Sequence, residues 1–229
     1  MYKKLQLPAN ATWTIKDILI VLAFVLVSGT SIYILILFLF GNTSTTFEIA
    51  RYSGSILFVA TPIFWLKKKY GLHKEALGLK NFKMTKILFL GFIVAITYSL
   101  IRIVFFKHIM VVAPKHASFI QILLVPISIN GFASTVLTPV GEEIMDRGFI
   151  YGYLRGKVGV AFGLIVQALF FSISHIGFIQ NTNAFYLIAD RFIIGLILGF
   201  LYEETGSLYP SMICHGLINY ISIISPAII

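Results

Sequence analysis

Long apolar runs alternate with short polar segments along the whole chain, and this pattern predicts helices that cross a membrane. A spanning helix needs about 20 apolar residues, and runs that approach this length recur seven times. The predicted spans are Ile18–Phe40, Tyr52–Leu66, Ile87–Phe106, Phe119–Leu137, Gly159–Phe178, Ala184–Tyr202 and Leu208–Ile224. An eighth helix results if the fourth span breaks at Thr138 and Pro139.

The fourth span is expected to continue past Pro139. Proline is tolerated in a membrane helix when neighbouring helices satisfy the carbonyl group that it leaves free. We therefore expect one long kinked helix from about Phe119 to about Leu154. The predicted fold class is an all-α, polytopic transmembrane bundle of about seven to eight helices with an intramembrane polar cavity.

Composition supports a membrane protein and excludes an ordinary soluble domain. Hydrophobic residues make up 58% of the chain and charged residues 12%, whereas a soluble domain has about 25% charged residues. A net charge of +9 raises nucleic acid as a partner, but the lysines lie at the ends of apolar runs, where they anchor and orient helices. Membrane lipids are thus the expected partners, with no nucleic acid. The single cysteine, Cys214, excludes an internal disulfide.

The linker from Lys67 to Lys86 gives the orientation. It carries seven lysines and one glutamate, so the positive-inside rule places it in the cytoplasm. If the fourth helix crosses the membrane once, Arg155 and Lys157 are cytoplasmic too. We expect a multi-pass protein of a cell membrane, of bacterial type.

Four charged residues interrupt the fourth span within six positions: Glu142, Glu143, Asp146 and Arg147. An ionisable residue inside a membrane is costly unless it is paired or faces a water-filled cavity, so each one is a candidate functional residue. Glu143 and Arg147 have the i, i+4 spacing of an ion pair. Glu142 has the same spacing to Asp146 and is the candidate proton acceptor. The alternative is a buried ion network that only fixes packing.

Three further polar residues lie in later spans. His175 lies near the end of the fifth span, and His215 and Asn219 share one face of the last. Because the fourth and fifth spans meet at a hairpin near residues 155–158, Glu142 and His175 are expected at similar heights and can share one pocket.

Two other pairs of adjacent charged residues belong to the sixth span. Asp190 and Arg191 lie in the sixth span, where we expect a packing contact with a neighbouring helix or an interaction with Glu142 or Asp146 across the bundle. Glu203 and Glu204 lie near the end of that span, and we expect both to be solvated.

Three short motifs follow one another in successive apolar segments. "EEIMDR" has the form EExxxR, "FSISH" the form FxxxH and "HGLIN" the form HxxxN. In this order they resemble the CPBP (CAAX protease and bacteriocin-processing, or Abi) family of intramembrane endopeptidases. The resemblance covers about Phe119 to Tyr220. It implies a catalytic transmembrane core in residues 118–229, which follows the transmembrane helices and the basic loop predicted in residues 1–117.

The resemblance implies a role for each motif residue. Glu142 would be the general base that activates a water molecule, and His175 would help to hold that water. His215 and Asn219 would donate hydrogen bonds to the oxyanion, and Glu143 would pair with Arg147. Asp146 departs from the family, which usually has an aromatic residue before the arginine. The implied substrate is a membrane-associated or lipidated peptide or protein.

The residues leave the cofactor and part of the function open. Members of the family are often called metalloproteases, and zinc could be held by Glu142, His175 and His215. There is no HExxH motif, however, and a glutamate with an oxyanion donor can activate water by itself, so we favour no metal cofactor. The alternative functions are a non-catalytic immunity or scaffold protein on the same fold and, less favoured, a proton-coupled transporter.

Overall fold

The computed structural model describes residues 11–80, 84–106, 128–175 and 184–224, and in these residues the chain forms seven long helices and no strand. A short 3-10 turn, Lys74–Leu77, lies between the second and third helices. The helices are α1 (Ile15–Phe40), α2 (Ser44–Tyr70), α3 (Met84–Phe106), α4 (residues 129–158), α5 (Val160–Ser174), α6 (Ala184–Thr205) and α7 (Leu208–Ile224). The predicted all-α fold class is confirmed.

Several helices have the length and composition of membrane spans. In the described residues, α1, Thr46–Tyr70 of α2 and Phe185–Thr205 of α6 are long and apolar enough to cross a membrane. Shorter apolar helices are found within α3, α5 and α7. Large apolar side chains cover the outside of the bundle; Phe38, for example, is 85% exposed. These features fit a multi-pass membrane protein, because such a surface is stable in lipid and not in water.

Helix α4 changes its pitch along its length. It is α-helical over Ile129–Phe132, Thr138–Glu142 and Gly152–Val158. It is π-helical over Ala133–Leu137 and Glu143–Tyr151. The prediction of one helix through Pro139 is therefore confirmed where the chain is described, and its expected start near Phe119 lies outside the described residues. All residues of the second π segment are buried, so its charges are surrounded by protein.

A buried carboxylate joins α1 to α2. Thr14 and Asp17 form a capping box at the start of α1. The same Asp17 carboxylate accepts hydrogen bonds from Trp65 Nε1 (2.9 Å), Lys69 Nζ (2.6 Å) and Tyr70 Oη (2.6 Å) of α2. Asp17 is fully buried and its charge is compensated by these donors, so it fixes how the first two helices pack.

Several segments that are distant in sequence meet at one end of the bundle, which we call the basic end. Trp13 Nε1 donates to the Phe149 carbonyl at 3.0 Å. Leu208 N, at the start of α7, donates to the Gly78 carbonyl at 2.9 Å. Four segments therefore lie together: the residues before α1, the loop 71–80, the later half of α4, and the turn between α6 and α7. This arrangement means that α4 runs through the bundle once, as the predicted orientation assumed.

The expectation that Glu203 is solvated is wrong. Glu203 is 6% exposed, and its carboxylate accepts hydrogen bonds from Tyr151 Oη (2.9 Å) and Arg155 Nε (2.7 Å). The later half of α4 packs close enough to α6 for both donors to reach it, a tertiary contact that hydropathy does not reveal. Glu204 is exposed, as expected.

Candidate active site

His215 of α7 lies between the two adjacent glutamates of α4. Its Nδ1 atom is 2.9 Å from Glu143 Oε1 and its Nε2 atom is 3.6 Å from Glu142 Oε2. His215 and Glu143 are almost completely buried, whereas the Glu142 side chain is 21% exposed. The inner carboxylate thus holds the imidazole, and the outer one remains accessible beside it.

Arg147 holds Glu143 from the other side. Arg147 Nη1 donates to Glu143 Oε1 at 2.9 Å, which is the predicted i, i+4 ion pair. The same nitrogen lies 3.8 Å from Asp146 Oδ2, longer than a hydrogen bond. Arg147 Nη2 also donates to the Gly195 carbonyl of α6 at 3.3 Å. Asp146 therefore stays near Arg147 without displacing Glu143.

Phe171 of α5 connects both histidines to Arg147. The Arg147 guanidinium lies over the Phe171 ring at 4.4 Å from its centroid. The ring centroids of His175 and His215 are 4.6 Å and 5.8 Å from that of Phe171. The structure therefore brings His175 and His215 to two sides of one aromatic ring, next to the Glu143–Arg147 pair.

His175 follows the last residue of α5, and its orientation is set by a backbone contact. Nδ1 lies 2.7 Å from the Phe171 carbonyl. A carbonyl oxygen only accepts, so Nδ1 carries the hydrogen and, in a neutral ring, Nε2 is an acceptor. The segment of the fifth span that we predicted beyond His175, up to Phe178, lies outside the described residues.

Asn219 contacts the first π segment of α4. Its Nδ2 atom donates to the Ser134 carbonyl at 3.0 Å. In π-helical pairing the partner of this carbonyl would be Pro139, which has no N–H, and Thr138 N instead donates to the Ala133 carbonyl. Asn219 therefore satisfies the oxygen that the proline leaves free, and the second hydrogen of its amide is still available as a donor.

Gly216 lets α7 approach this part of α4. A Cβ atom at Gly216 would collide with the Thr135 carbonyl. His215, Gly216 and Asn219 are therefore all placed by one close contact between α7 and α4.

The charged pair of α6 separates into two environments. Asp190 accepts a hydrogen bond from Tyr98 Oη at 2.7 Å and lies 3.0 Å from Arg102 Nε, both on α3. Arg191 interacts electrostatically with this group and also with Glu142, His175 and His215. The expected packing partner is thus found for Asp190, and Arg191 has the interaction with Glu142 that was the alternative expectation for this pair.

Two cavities lie beside the contact between α4 and α7. One, of about 620 Å³, is lined by polar residues that include Glu48, Arg51, Asn130 and Ser134. The other, of about 710 Å³, is lined mainly by apolar side chains of α7 and α4 and reaches Gly216. The linings of these two cavities do not include Glu142, His175, His215 or Asn219, but each has residues next to one of them in the chain or in contact with it, Gly216 in the apolar cavity and Ser134 in the polar one.

The predicted zinc ligands do not fit a metal centre well. In the part of the chain that the structure describes, no group of three His, Cys, Asp or Glu residues is placed to hold a metal ion. His175 and His215 each use Nδ1 for a protein contact, to a carbonyl and to Glu143 respectively. A metal would have to recruit the two Nε2 atoms and Glu142 after a rearrangement.

The arrangement has the parts of a water-activating site. A partly exposed carboxylate can accept a proton, and a fixed imidazole and an amide nearby can donate hydrogen bonds to a developing negative charge. The surroundings are of low dielectric, where such donors have larger effects than in water.

Comparison with known proteins agrees with this class of site. Residues 124–221 match the family model of the type II CAAX prenyl endopeptidase, Rce1-like. This stretch includes all three motifs, and over it the chain is similar to that family of endopeptidases. Comparisons with curated proteins and with solved structures gave no match.

Proposed function

We propose that the chain is an intramembrane endopeptidase that hydrolyses a peptide bond of a membrane-associated or lipidated peptide or protein. The observation that carries this proposal is the 3.6 Å approach of Glu142 Oε2 to Nε2 of a histidine whose other nitrogen is held by Glu143. The family of the matched stretch supports the reaction class. We further propose that the protein works in a bacterial cell membrane.

In the proposed mechanism Glu142 removes a proton from a water molecule, which attacks the carbonyl carbon of the scissile peptide bond. His175 helps to hold the water, and His215 and Asn219 donate to the oxyanion. Because Nδ1 of His215 is committed to Glu143, the ring donates through Nε2 only when it carries both protons. Glu142 then passes its proton to the leaving amine, which completes the hydrolysis.

The apolar cavity of about 710 Å³ supports a substrate with an apolar segment or a lipid group. Burying such a group stabilises the complex by roughly 25 cal/mol for each Å² removed from water. We propose that this cavity receives that part of the substrate while the peptide bond lies beside Glu142.

Replacement of Glu142 by glutamine tests the reaction. Glu142→Gln keeps the size of the side chain but removes the proton acceptor, so we expect cleavage of a membrane-peptide library, followed by mass spectrometry, to slow by at least about 100-fold. The control is Glu204→Gln on the exposed face of α6, which should cleave like the wild type. A Glu142→Gln protein that cleaves as fast as the wild type would refute the mechanism. If the wild type and Glu142→Gln produce the same phenotype in cells, the immunity or scaffold role is favoured.

The cofactor proposal has a separate test. We propose that the reaction needs no metal, and we expect a strong chelator to leave the cleavage rate unchanged while elemental analysis finds well under one zinc ion per chain. Loss of activity with the chelator and its return with added zinc would contradict this proposal.

A further inference from the structure

Arg191 is a half-buried cation whose role the proposed mechanism does not explain. Its Nε atom is buried and has no hydrogen-bond partner among the described residues. A buried polar group without a partner is costly, so a ligand that supplies one would bind strongly.

The position of Arg191 on α6 directs it towards the candidate site. Gly195, one helical turn later on the same face, accepts a hydrogen bond from Arg147. The charge of Arg191 interacts with Glu142, His175 and His215. Arg191 therefore approaches the same group of residues from α6.

The other charges of the bundle near Arg191 already have partners. Asp190 pairs with Arg102, and Glu143 pairs with Arg147. Asp190 also interacts with the charge of Arg191, but its carboxylate is already held by Tyr98 and Arg102 of α3. Among the glutamates of the candidate site, Glu142 is the one that interacts with the charge of Arg191, and a base cannot be engaged in a tight ion pair while it accepts a proton.

We propose that Arg191 binds a carboxylate of the peptide substrate next to Glu142, an inference that rests on the proposed peptidase function. A guanidinium has a planar set of donors that matches both oxygens of a carboxylate. This carboxylate comes either from the free C-terminus of the peptide or from an acidic side chain near the cleavage site. In both cases Arg191 fixes where the scissile bond lies relative to the base.

Peptide binding, measured without reference to cleavage, tests the role. The probes are three dansyl-labelled apolar heptapeptides: one with a free C-terminus, one with an amidated C-terminus, and one amidated with aspartate as its last residue. Fluorescence anisotropy would give Kd for the protein in lipid nanodiscs. We expect the wild type to bind one of the two carboxylate peptides about 10- to 100-fold more tightly than the neutral peptide. The preferred peptide identifies the source of the carboxylate.

Variants then connect the preference to Arg191. Arg191→Gln should bind all three peptides equally, and Arg191→Lys should keep part of the preference because it keeps the charge. The matched control, Arg155→Gln, removes a cation at the basic end and should keep the full preference. If Arg191→Gln does not fold, the reduced preference of Arg191→Lys serves as the readout.

Two results would overturn the inference. One is a wild type that binds the three peptides with equal affinity. The other is an Arg191→Gln variant that loses the same factor of affinity for all three peptides and so keeps the preference. The proposed function can fail independently. If the wild type prefers a carboxylate peptide but cleaves no peptide, the proposed function fails and Arg191 remains a carboxylate site. If it cleaves peptides but shows no preference in binding, the proposed function stands and the role of Arg191 fails.

Discussion

At the scale of single residues, Glu143 supports most of the candidate site. One of its oxygens, Oε1, accepts from both Arg147 Nη1 and His215 Nδ1. Its side chain is fully buried, so no water replaces either donor. The sequence predicted the Arg147 pair because i, i+4 contacts are local, but the His215 contact depends on how α7 packs against α4.

Neutralising Glu143 should destabilise the protein strongly. Glu143→Gln leaves Arg147 as a buried charge without its close partner, and we expect the free energy of unfolding to fall by about 3–5 kcal/mol. Unfolding of the purified protein by SDS titration measures this change.

Asp146→Asn is the matched comparison, because Asp146 lies farther from Arg147, at 3.8 Å. Removing it leaves the Glu143–Arg147 pair intact, so its effect on the free energy of unfolding should be clearly smaller. Equal losses for the two variants would show that Arg147 is shared between the two carboxylates.

At the scale of elements, the two π segments of α4 are the feature that hydropathy did not predict. Apolar and polar positions in residues 129–158 fit an ordinary helix, and the choice between i+4 and i+5 hydrogen bonds is made by contacts with neighbouring helices. Pro139 was the available signal, because a proline in a helix predicts a free carbonyl upstream. Which side chain satisfies that carbonyl depends on the approach of α7.

The contact of Asn219 with Ser134 can be separated from any role in catalysis. Asn219→Ala leaves the Ser134 carbonyl without a partner and should lower the free energy of unfolding by about 1–3 kcal/mol. Pro139→Ala returns an N–H five residues after Ser134, so the double variant should regain part of this stability.

The cleavage rate distinguishes the two roles of Asn219. If Asn219 also donates to the oxyanion, the double variant regains stability while its cleavage stays slow. Strictly additive effects of Asn219→Ala and Pro139→Ala on stability would contradict the proposed link between the proline and the asparagine.

At the scale of the whole molecule, the helices themselves could be predicted from the sequence more completely than their contacts. Each apolar run is long enough to predict a helix from local sequence alone, and the order of the motifs indicated that Glu142 and His215 belong to one site. Arg191 and Glu203 were harder to interpret, because their environments depend on which face of α6 meets α4.

The orientation of the bundle follows from its basic end. The loop after α2 and the residues Arg155 and Lys157 lie together there, so the positive-inside rule predicts that this end faces the cytoplasm. In a background of Cys214→Ala, a thiol reagent that does not cross membranes should label Asn42→Cys in intact cells and Lys74→Cys only after permeabilisation. Labelling of Lys74→Cys in intact cells, and of Asn42→Cys only after permeabilisation, would show that the orientation is opposite to the predicted one.

The hydrogen bond between Leu208 N and the Gly78 carbonyl also bears on how the chain can be divided. It joins the matched stretch, residues 124–221, to a loop that precedes it. A fragment beginning at residue 118 would lose the acceptor for the first turn of α7, the helix that carries His215. We therefore expect a fragment without the loop after α2 to place α7 less firmly, so a segment transferred to another protein should include this loop.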